Sequence, residues 1–469
     1  MRSVPFFSAT LVLLAAQSAF AQVDEERLKL MHEPISYTDV IDAFDGPDRF
    51  DLNVHLDYAR TRETGAIYRE RTASAASGDA RGEEKVAAAE RIVSQIVPGF
   101  DLGLFRDVMA FVRMPLILSD SRNLTLPHGV SAGQAGSVLT DAAGQGGPGS
   151  PLFSVPFSSP TRAGVDYLAV GVAWAPFNQT RRAWLPTWVL RLEGRRAVGH
   201  PLRACHPVTT DVPATATTAA TTARSTSCGS ISSEDRNGDG KPDGTHDTGT
   251  RAGSSRGVSA LFAETRFSHR YRRYEPYAGL SLLVEWASSA RDAFRDAGYG
   301  HARPGPQTAA NIGLALIPWE DRGAFQRIVF DLRLNATHVA RGTDYTPLFD
   351  ALGTSSNPDL ASARSGVSFY GLTEVQSYLR YGGQLGVEVQ AARYVRFQVG
   401  SQLSFATDHA LTGRDPCGGP SSGVAADGRI CTAGGPDRRE RGVIDAPGRR
   451  FLIRDQMLLG VFAQATASF

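Results

Sequence analysis

The stretch Phe451-Leu-Ile-Arg-Asp-Gln-Met-Leu-Leu-Gly-Val-Phe-Ala-Gln-Ala-Thr-Ala-Ser-Phe469, at the end of the chain, decides the fold. Its second half alternates between apolar residues and small or polar ones with a period of two, which is the period of a β-strand. The apolar series, counted back from the end, is Ala467, Ala465, Ala463, Val461, Leu459 and Met457. One wholly apolar side predicts either a strand with one face in lipid or a half-buried edge strand of a soluble sandwich.

Composition narrows the possible classes of protein. The chain has 469 residues, a hydrophobic content of 42% and a mean hydropathy of −0.20. Its sequence has no apolar run near the roughly 18 residues that a membrane-spanning helix needs, so an α-helical membrane protein is excluded. The formal net charge is +1 and no cluster of Lys and Arg forms a basic footprint, so nucleic acid is not an expected partner.

The amino terminus has the features of a secretory signal peptide. Arg2 precedes a short apolar core at 11–16, and Ala19-Phe-Ala21 matches a small-residue cleavage site. We expect residues 1–21 to be this signal and the mature protein to begin at Gln22. The polar, acidic residues 22–48 predict a solvated periplasmic segment that precedes the folded part, 49–469. A plug folded into the barrel mouth is the alternative, which no sequence motif supports.

The period-two pattern recurs from Phe50 onward. In the first strand, Phe50–Tyr58, apolar side chains share one face and Asp51, Asn53, His55 and Asp57 share the other. Similar stretches continue to the end of the chain and make about twelve strands. The connections between them alternate strictly in length. Short ones lie near 106, 176–186, 269–275, 318–325 and 392–394, and long polar ones lie near 64–90, 120–165, 196–256, 288–308, 340–374 and 407–450.

The last strand, its terminal aromatic and this alternation resemble the outer-membrane β-barrels of Gram-negative bacteria. In that family the last strand pairs with the first, and its terminal aromatic is read by the insertion machinery. The resemblance implies an all-β fold: a single transmembrane antiparallel up-and-down barrel of about twelve strands in the cell outer membrane. It also implies short periplasmic turns, long extracellular loops and contact with membrane lipid. A soluble sandwich has no reason to collect every long loop at one end.

Charged side chains at the centres of the strands support this interpretation, since they would be costly in a dry core and are ordinary in a wet lumen. The candidate pore-lining residues are Asp51, His55, Asp57, Arg191, Glu193, Glu264, Arg266, Glu285, Asp331, Arg333, Arg380, Glu388 and Arg396. Aromatic residues near predicted strand ends are expected to form the girdles at the membrane interfaces, with ordinary packing as the alternative for each one. They are Trp174, Trp188, Tyr274, Tyr277, Trp286, Trp319 and Tyr394.

Three functions follow from this pattern. A porin-like channel for passive or selective passage of small solutes is the first, because about twelve strands leave a narrow polar lumen. Opposite inward charges can pair and close that lumen, so a structural or surface-interaction barrel without an open pore is the alternative. An outer-membrane hydrolase is the third. His55 lies near Asp51 and Asp57, but no serine motif accompanies it, and His409 follows Asp408 at a strand end; we expect both histidines to be solvated.

The long loops carry the remaining motifs. Cys205 with Cys228, and Cys417 with Cys431, predict two disulfides that close local loops, at 196–256 and 407–450; zinc is the alternative, without the usual ligand spacing. The first of these loops also contains Asp235-Arg-Asn-Gly-Asp-Gly-Lys-Pro-Asp243, which resembles the calcium loops of EF-hands, dockerins and thrombospondin type 3 repeats. The resemblance implies Ca²⁺ ligation by Asp235, Asn237, Asp239, Asp243 and the carbonyl of Lys241. His246 stands where a closing acid is expected, so a solvated acidic turn is the alternative.

Overall fold

A computed structural model of the chain shows how these segments are arranged. It describes residues 35–41, 51–71, 82–140, 151–212, 221–228, 252–287, 294, 303–321, 323–361, 369–392, 394–417, 423–424, 430–431, 437 and 439–469. The predicted signal peptide and the Asp235–Asp243 calcium motif lie outside these residues. Both stay predictions, as do the boundaries of the three sequence segments.

Twelve strands form one antiparallel sheet that closes on itself. They are β1 (Leu52–Arg71), β2 (Gly82–Phe105), β3 (Val108–Arg113, continued by Leu116–Thr125), β4 (Tyr167–Phe177), β5 (Thr187–Ala197), β6 (Val258–Ser268), β7 (Tyr274–Ala287), β8 (Gln307–Asp321), β9 (Gln326–Val339), β10 (Tyr378–Ala392), β11 (Val395–Ala406) and β12 (Phe451–Ser468). Arg162–Val165 extends the wall before β4, and Phe157–Ser158 and His409–Ala410 add short pairings.

The closing seam joins β1 to β12, as the last strand of the sequence predicts. Val54 pairs with Ala467 and Tyr58 with Ala463, and Phe469 exchanges backbone hydrogen bonds with Leu52. Because β1 also pairs with β2 along its whole length, no edge of the barrel wall is left open at this seam. The predicted number of strands, the antiparallel order and the strict alternation of short and long connections are confirmed.

The first strand is longer than the sequence pattern indicated. The alternation of apolar and polar residues ends near Tyr58 because Arg60 and Arg62 take the next outward positions. The backbone pairing nevertheless continues to Arg71, and β2 starts at Gly82. The loop expected at 64–90 is therefore mostly strand. Backbone hydrogen bonds between β1 and β2 outweigh the charge of their outward side chains at this end.

The outer surface of the barrel is apolar. Leu280, Ile312, Leu385 and Val399 are among the large hydrophobic side chains that the wall exposes, and the outward row of β12 is exposed too. Of the expected girdle aromatics, Trp174, Tyr274, Trp286, Trp319 and Tyr394 are exposed. Tyr277 is buried instead, on the inner face, so its assignment to the girdle was wrong. An exposed apolar band of this extent is the lipid-facing surface of a membrane barrel.

The long loops fold into a cap over the extracellular mouth. We use "cap" for the apolar core that the β3–β4, β9–β10 and β11–β12 connections build with the upper ends of β1, β2, β3 and β12. Its members include Ile67, Val86, Leu124, Leu139, Leu152, Phe153, Leu348, Leu352, Leu360, Leu411, Ile444, Phe451 and Ile453. Short helices lie in these loops: α1 (Ala132–Leu139), α2 (Phe349–Gly353), α3 (Pro358–Ala361) and α4 (Gly442–Asp445). No helix within the described ranges is long and apolar enough to cross a membrane.

Polar contacts and disulfides fix the loops at the same end. Arg162 and Asp350, from two different loops, form an ion pair of 2.5 Å with almost no accessible surface. The Arg69 guanidinium donates to the carbonyl oxygens of Val138 and Val443 and so joins two loops to β1. The structure also joins Cys205 to Cys228 and Cys417 to Cys431, as expected from their spacing.

Candidate pore and its closures

The inner wall of the barrel carries the charged residues that the sequence pattern selected. Each candidate pore-lining side chain lies on the inner side, where alternation along its strand puts it. Several pair with a neighbour two residues away on the same strand. Arg191 and Arg195 both contact Glu193 at 2.6 Å, and Arg266 contacts Glu264 at 2.7 Å. The lumen is therefore lined by ion pairs rather than by free charges.

Arg333 and Asp331 form one more same-strand pair at 3.3 Å, while other candidates pair with residues that the pattern did not select. Arg327 contacts Glu388 at 3.2 Å across β9 and β10, and His55 lies 3.5 Å from Asp101 of β2. Further inward partners are Glu63 for Arg380, Arg256 for Glu285 and Asp39 for Arg396. These partners come from other strands or loops, so only the closed sheet brings them together.

A short segment from the amino-terminal part of the chain occupies the periplasmic end of the lumen. We call residues 35–41 the plug. The guanidinium groups of Arg266 and Arg333 both lie over its Tyr37 ring, each 4.7 Å from the ring centroid. The same ring packs against Tyr277 at 4.6 Å, and its hydroxyl donates to Asn311 at 2.6 Å. Two cations over the ring and a bonded hydroxyl make Tyr37 the main anchor of the plug.

Glycine in the wall permits this approach. A Cβ atom added at Gly279 of β7 would lie 2.0 Å from the Tyr37 hydroxyl oxygen, which is far inside contact distance. Only a residue without a side chain fits here while Tyr37 keeps its position. The wall is thus shaped to receive the ring.

The other plug residues reach different parts of the wall. The Ile35 amide donates to Glu275 at 3.2 Å, Thr38 shares a hydrogen bond of 2.7 Å with Ser268, and Asp39 contacts Arg396 at 3.4 Å. Val40 and Ile41 pack on an apolar cluster of Met109, Phe111, Ala173, Ala175 and Val189. The plug therefore contacts strands around the lumen. For residues 35–41 the expectation of a solvated segment was wrong, because most of them are buried.

Electrostatics at the plug is dominated by burial. Burial raises the pKa of the Asp39 carboxyl above its usual range, against the lowering effect of the Arg396 and Arg327 guanidinium groups, and the nearby Glu388 raises it further. A cavity of about 80 Å³ lies beside the plug, between Asp39, His55, Asp101 and Arg113. It is large enough for two or three water molecules at roughly 30 Å³ each.

A larger cavity lies between the plug and the cap. This chamber measures about 330 Å³, and charged side chains from several strands line it, including Arg91, Arg122, Arg256, Arg380, Glu63 and Asp344. Tyr345, Tyr378 and His409 also line it. The chamber and the smaller cavity show that the lumen is not filled with side chains.

The described residues bring no catalytic constellation together. His55 and His409 are both buried, so the expectation that they are solvated was wrong. His55 contacts Asp101, whereas the His409 ring stacks on Tyr378 and its Nδ1 lies 2.8 Å from the Thr407 carbonyl oxygen. No hydrogen bond joins either ring to a serine hydroxyl or a cysteine thiol within this part of the chain. No group of three or more His, Cys, Asp or Glu among these residues is arranged to hold a metal ion.

Sequence reasoning missed the plug and most of the cross-strand partners. The plug has no periodic pattern, and its contacts span more than two hundred residues, as between Ile35 and Glu275. For Asp101 and Glu63 a signal existed: both fall on inward positions of β2 and β1 by simple alternation. The same-strand ion pairs can be predicted from the period of two alone, because residues two apart on a strand lie on the same face.

No protein-family model matches the chain, and no curated protein matches it in sequence. Solved structures do resemble it in shape. The COG4313 outer membrane channel from Pseudomonas putida F1 shares 7% identity over 93% of this chain and 99% of that one, with a TM-score of 0.38. The P. putida toluene transporter TodX shares 10% identity over 94% of this chain and 93% of that one, with a TM-score of 0.32. The Escherichia coli outer membrane protease OmpT shares 9% identity over 90% of this chain and 96% of that one, with a TM-score of 0.27.

These proteins differ in activity, and likenesses this distant carry no argument about function. The class of this protein follows instead from its own geometry. Twelve strands close through β1 and β12, the wall exposes an apolar band with aromatic residues, and the interior is lined by paired charges. The chain is an outer-membrane β-barrel protein.

Proposed function

We propose that the chain is a channel for small solutes whose periplasmic end is closed by its own plug. The observation that carries this proposal is the way in which Tyr37 is held. Its anchors are two cation–π contacts, one aromatic pair and one hydrogen bond, all made by a single segment that pairs with no strand. Such contacts contribute about 0.5 to 2 kcal/mol each, so the segment is held firmly but can be released.

The interior supports passage once the plug leaves. Removing residues 35–41 would join the space that they fill to the small cavity beside them, in a lumen whose walls are polar. Many charges on the wall are paired with one another, and the plug adds a partner for several of them, including Arg396, Glu275 and Arg266. The ion pairs within the wall therefore remain when the plug leaves. This is the property that a releasable closure requires.

Ion conductance in planar bilayers tests the proposal. We expect the parent protein to show low conductance with rare openings, and Tyr37→Ala to open often, because the loss of about 2 to 4 kcal/mol of contacts shifts the closed state toward release. Gly279→Ala should have the same effect from the wall side, since its methyl group would displace the Tyr37 hydroxyl.

Tyr274→Ala is the matched control, because it removes an exposed tyrosine from the outer face of β7, the strand that carries Gly279. It should conduct like the parent. If correctly folded Tyr37→Ala and Gly279→Ala both remain silent, the channel proposal fails. The paired interior and the closed cap would then favour the alternative, a barrel that acts through its extracellular loops without an open pore.

A further inference from the structure

The chamber between plug and cap has the size of a binding site. Its volume of about 330 Å³ is at the lower end of the roughly 300–1,000 Å³ typical of small-molecule sites. Thr61, Val93 and Leu458 line it at barrel level, and Leu411 and Tyr345 line it from the loops. It is therefore a compartment within the barrel, and no part of the plug lines it.

Guanidinium groups dominate the surface of this chamber. Arg91, Arg256 and Arg380 keep 41%, 32% and 34% of their side-chain surface accessible although they lie inside the protein. The carboxylates that neutralise two of them lie behind, since Asp120 and Glu285 are only 2% and 7% accessible. The cationic edge of Arg91 therefore faces the cavity while its carboxylate does not, whereas Arg256 and Arg380 share the chamber surface with Asp344 and Glu63.

Two of these arginines have hydrogen-bonding capacity beyond their ion pairs. Arg91 contacts Asp120 through Nε and Nη2, and Arg380 contacts Glu63 through Nη2 alone. A guanidinium has five N–H donors in a planar fork that matches a carboxylate. The counter-charges of Glu63 and Asp344, which also line the chamber, keep its total charge near balance. Recognition here must come from these short-range donors rather than from a long-range field.

An aromatic surface lies in the same chamber. The Tyr378 and His409 rings stack with 4.0 Å between centroids and 8° between planes, and Tyr345 adds a third ring. A flat apolar body fits against such rings, while an acidic group on it reaches the arginine edges. The chamber thus has an aromatic surface for the apolar part of a ligand and arginine side chains for its acidic group.

We propose that the chamber is a binding site for small organic anions, namely a carboxylate carried by an aromatic or apolar body. A role of this site in transport rests on the proposed channel function, whereas ligand binding can be measured without conductance. Arg91 and Arg380 are the residues that contact the carboxylate. Tyr378 and His409 contact the body of the ligand.

Isothermal titration of the full-length protein in detergent tests this site with benzoate as the probe. Benzyl alcohol and benzylamine have the same ring without the anionic group. We expect benzoate to bind at least about tenfold more tightly than either, because an ionised acceptor makes the stronger hydrogen bond to a guanidinium. The titration is repeated on Tyr37→Ala, in which the periplasmic end is expected to be accessible.

Arg91→Gln and Arg380→Gln should each weaken benzoate binding about tenfold. Both variants should fold, because Asp120 keeps Arg122 at 2.9 Å and Glu63 keeps Gln456 at 2.6 Å. Arg62→Gln is the matched control. It removes the same charge from the outer face of β1 and should bind benzoate like the parent.

The proposal is overturned if benzoate binds neither the parent nor Tyr37→Ala, or if the three probes bind equally. It is also overturned if Arg62→Gln weakens benzoate binding as much as Arg380→Gln. Its failure is distinguishable from that of the channel. A conducting Tyr37→Ala variant that does not bind benzoate would leave the channel and remove the site. A silent variant that binds benzoate with the expected preference would leave the site and remove the channel.

Discussion

The two ends of the barrel are closed by different physical means. At the extracellular end, three long loops share an apolar core with the upper strands and are joined by the buried Arg162–Asp350 pair. At the periplasmic end, the seven residues of the plug are held mainly by cation–π contacts and hydrogen bonds. An apolar core is lost as a unit, whereas a few polar anchors on one segment can be exchanged for water one at a time.

This difference indicates which end can open. Moving the cap aside would expose many large apolar side chains at once, at roughly 1.5–3 kcal/mol for each fully buried one. Releasing the plug exposes only three aliphatic residues, Ile35, Val40 and Ile41, and one tyrosine. We therefore expect the cap to keep its fold on the timescale on which the plug opens, so that release of the plug, and not unfolding of the cap, limits conductance.

The largest effect is expected from breaking the ion pair in the cap. Asp350→Ala leaves the Arg162 guanidinium, whose side chain has no accessible surface, without its carboxylate. Removal of one partner of a buried pair costs about 3–5 kcal/mol, and the amide of Cys205 loses its acceptor as well. We expect proteases to cut the β3–β4 and β9–β10 loops in the variant while the strands resist. Limited proteolysis followed by mass spectrometry locates the cuts.

Asp359→Ala is the control for this experiment, because it removes an exposed carboxylate from the same loop. It should be cut like the parent. Equal resistance of Asp350→Ala and the parent would show that the apolar core alone holds the cap. The contrast between a cooperative cap and a releasable plug would then rest on burial and not on the ion pair.

Proteolysis with and without Ca²⁺ tests whether a calcium site also stabilises a loop at the extracellular end. If Asp235, Asn237, Asp239 and Asp243 ligate Ca²⁺ as the motif predicts, ion at 100 times its Kd stabilises the bound loop by about 2.7 kcal/mol. Trypsin should then cut after Arg236 more slowly with Ca²⁺ than with Mg²⁺. Asp239→Ala should abolish the difference. Identical cleavage of the parent in both ions would identify the motif as a solvated acidic turn.

A smaller and graded effect is expected from Tyr37→Phe. The ring, both cation–π contacts and the packing on Tyr277 stay, and only the hydrogen bond to Asn311 is lost. A net cost of about 1 kcal/mol predicts a several-fold rise in channel opening, well below that of Tyr37→Ala. Single-channel recording measures both variants. Equal opening in the two would assign the anchoring to the hydroxyl and contradict the role of the ring.

The barrel was predictable from the sequence because its rules are local. Alternation along a strand settles which residues face lipid, and the lengths of the connections settle which end faces the periplasm. Same-strand pairs such as Glu264 with Arg266 follow from the same period. Where a local rule was broken, the prediction failed: the outward Arg60 and Arg62 ended β1 too early.

Both closures were beyond the sequence pattern because their contacts are remote. Tyr37 meets Asn311 and Arg333 only after the sheet has closed, and nothing periodic marks the segment around it. The cap residues Leu348, Leu411 and Ile444 are scattered singly through polar loops. Tyr277 was misplaced for a related reason, because an aromatic near a strand end suits a girdle or a lumen equally until its face is known.

The smallest predicted effect is a pH dependence of the plug. Burial raises the pKa of Asp39 in the docked segment above the value of about 3.9 for a free aspartate. The docked state therefore binds the proton more tightly than the released state. Its contribution to docking is complete below the released-state pKa and is lost as the pH rises through the docked-state pKa. Channel opening should rise with pH across that window and then level off.

The variant that isolates this contribution is Asp39→Asn, which keeps the size of the side chain and removes the titration. Its opening should lose the part of the pH dependence that the parent shows above about pH 4. Asp321 is an exposed residue at the periplasmic end of β8, and Asp321→Asn should keep the parent's dependence of channel opening on pH. An unchanged profile in Asp39→Asn would mean that another group titrates when the plug moves. The ion pair between Asp39 and Arg396 would then act on docking equally across the measured pH range.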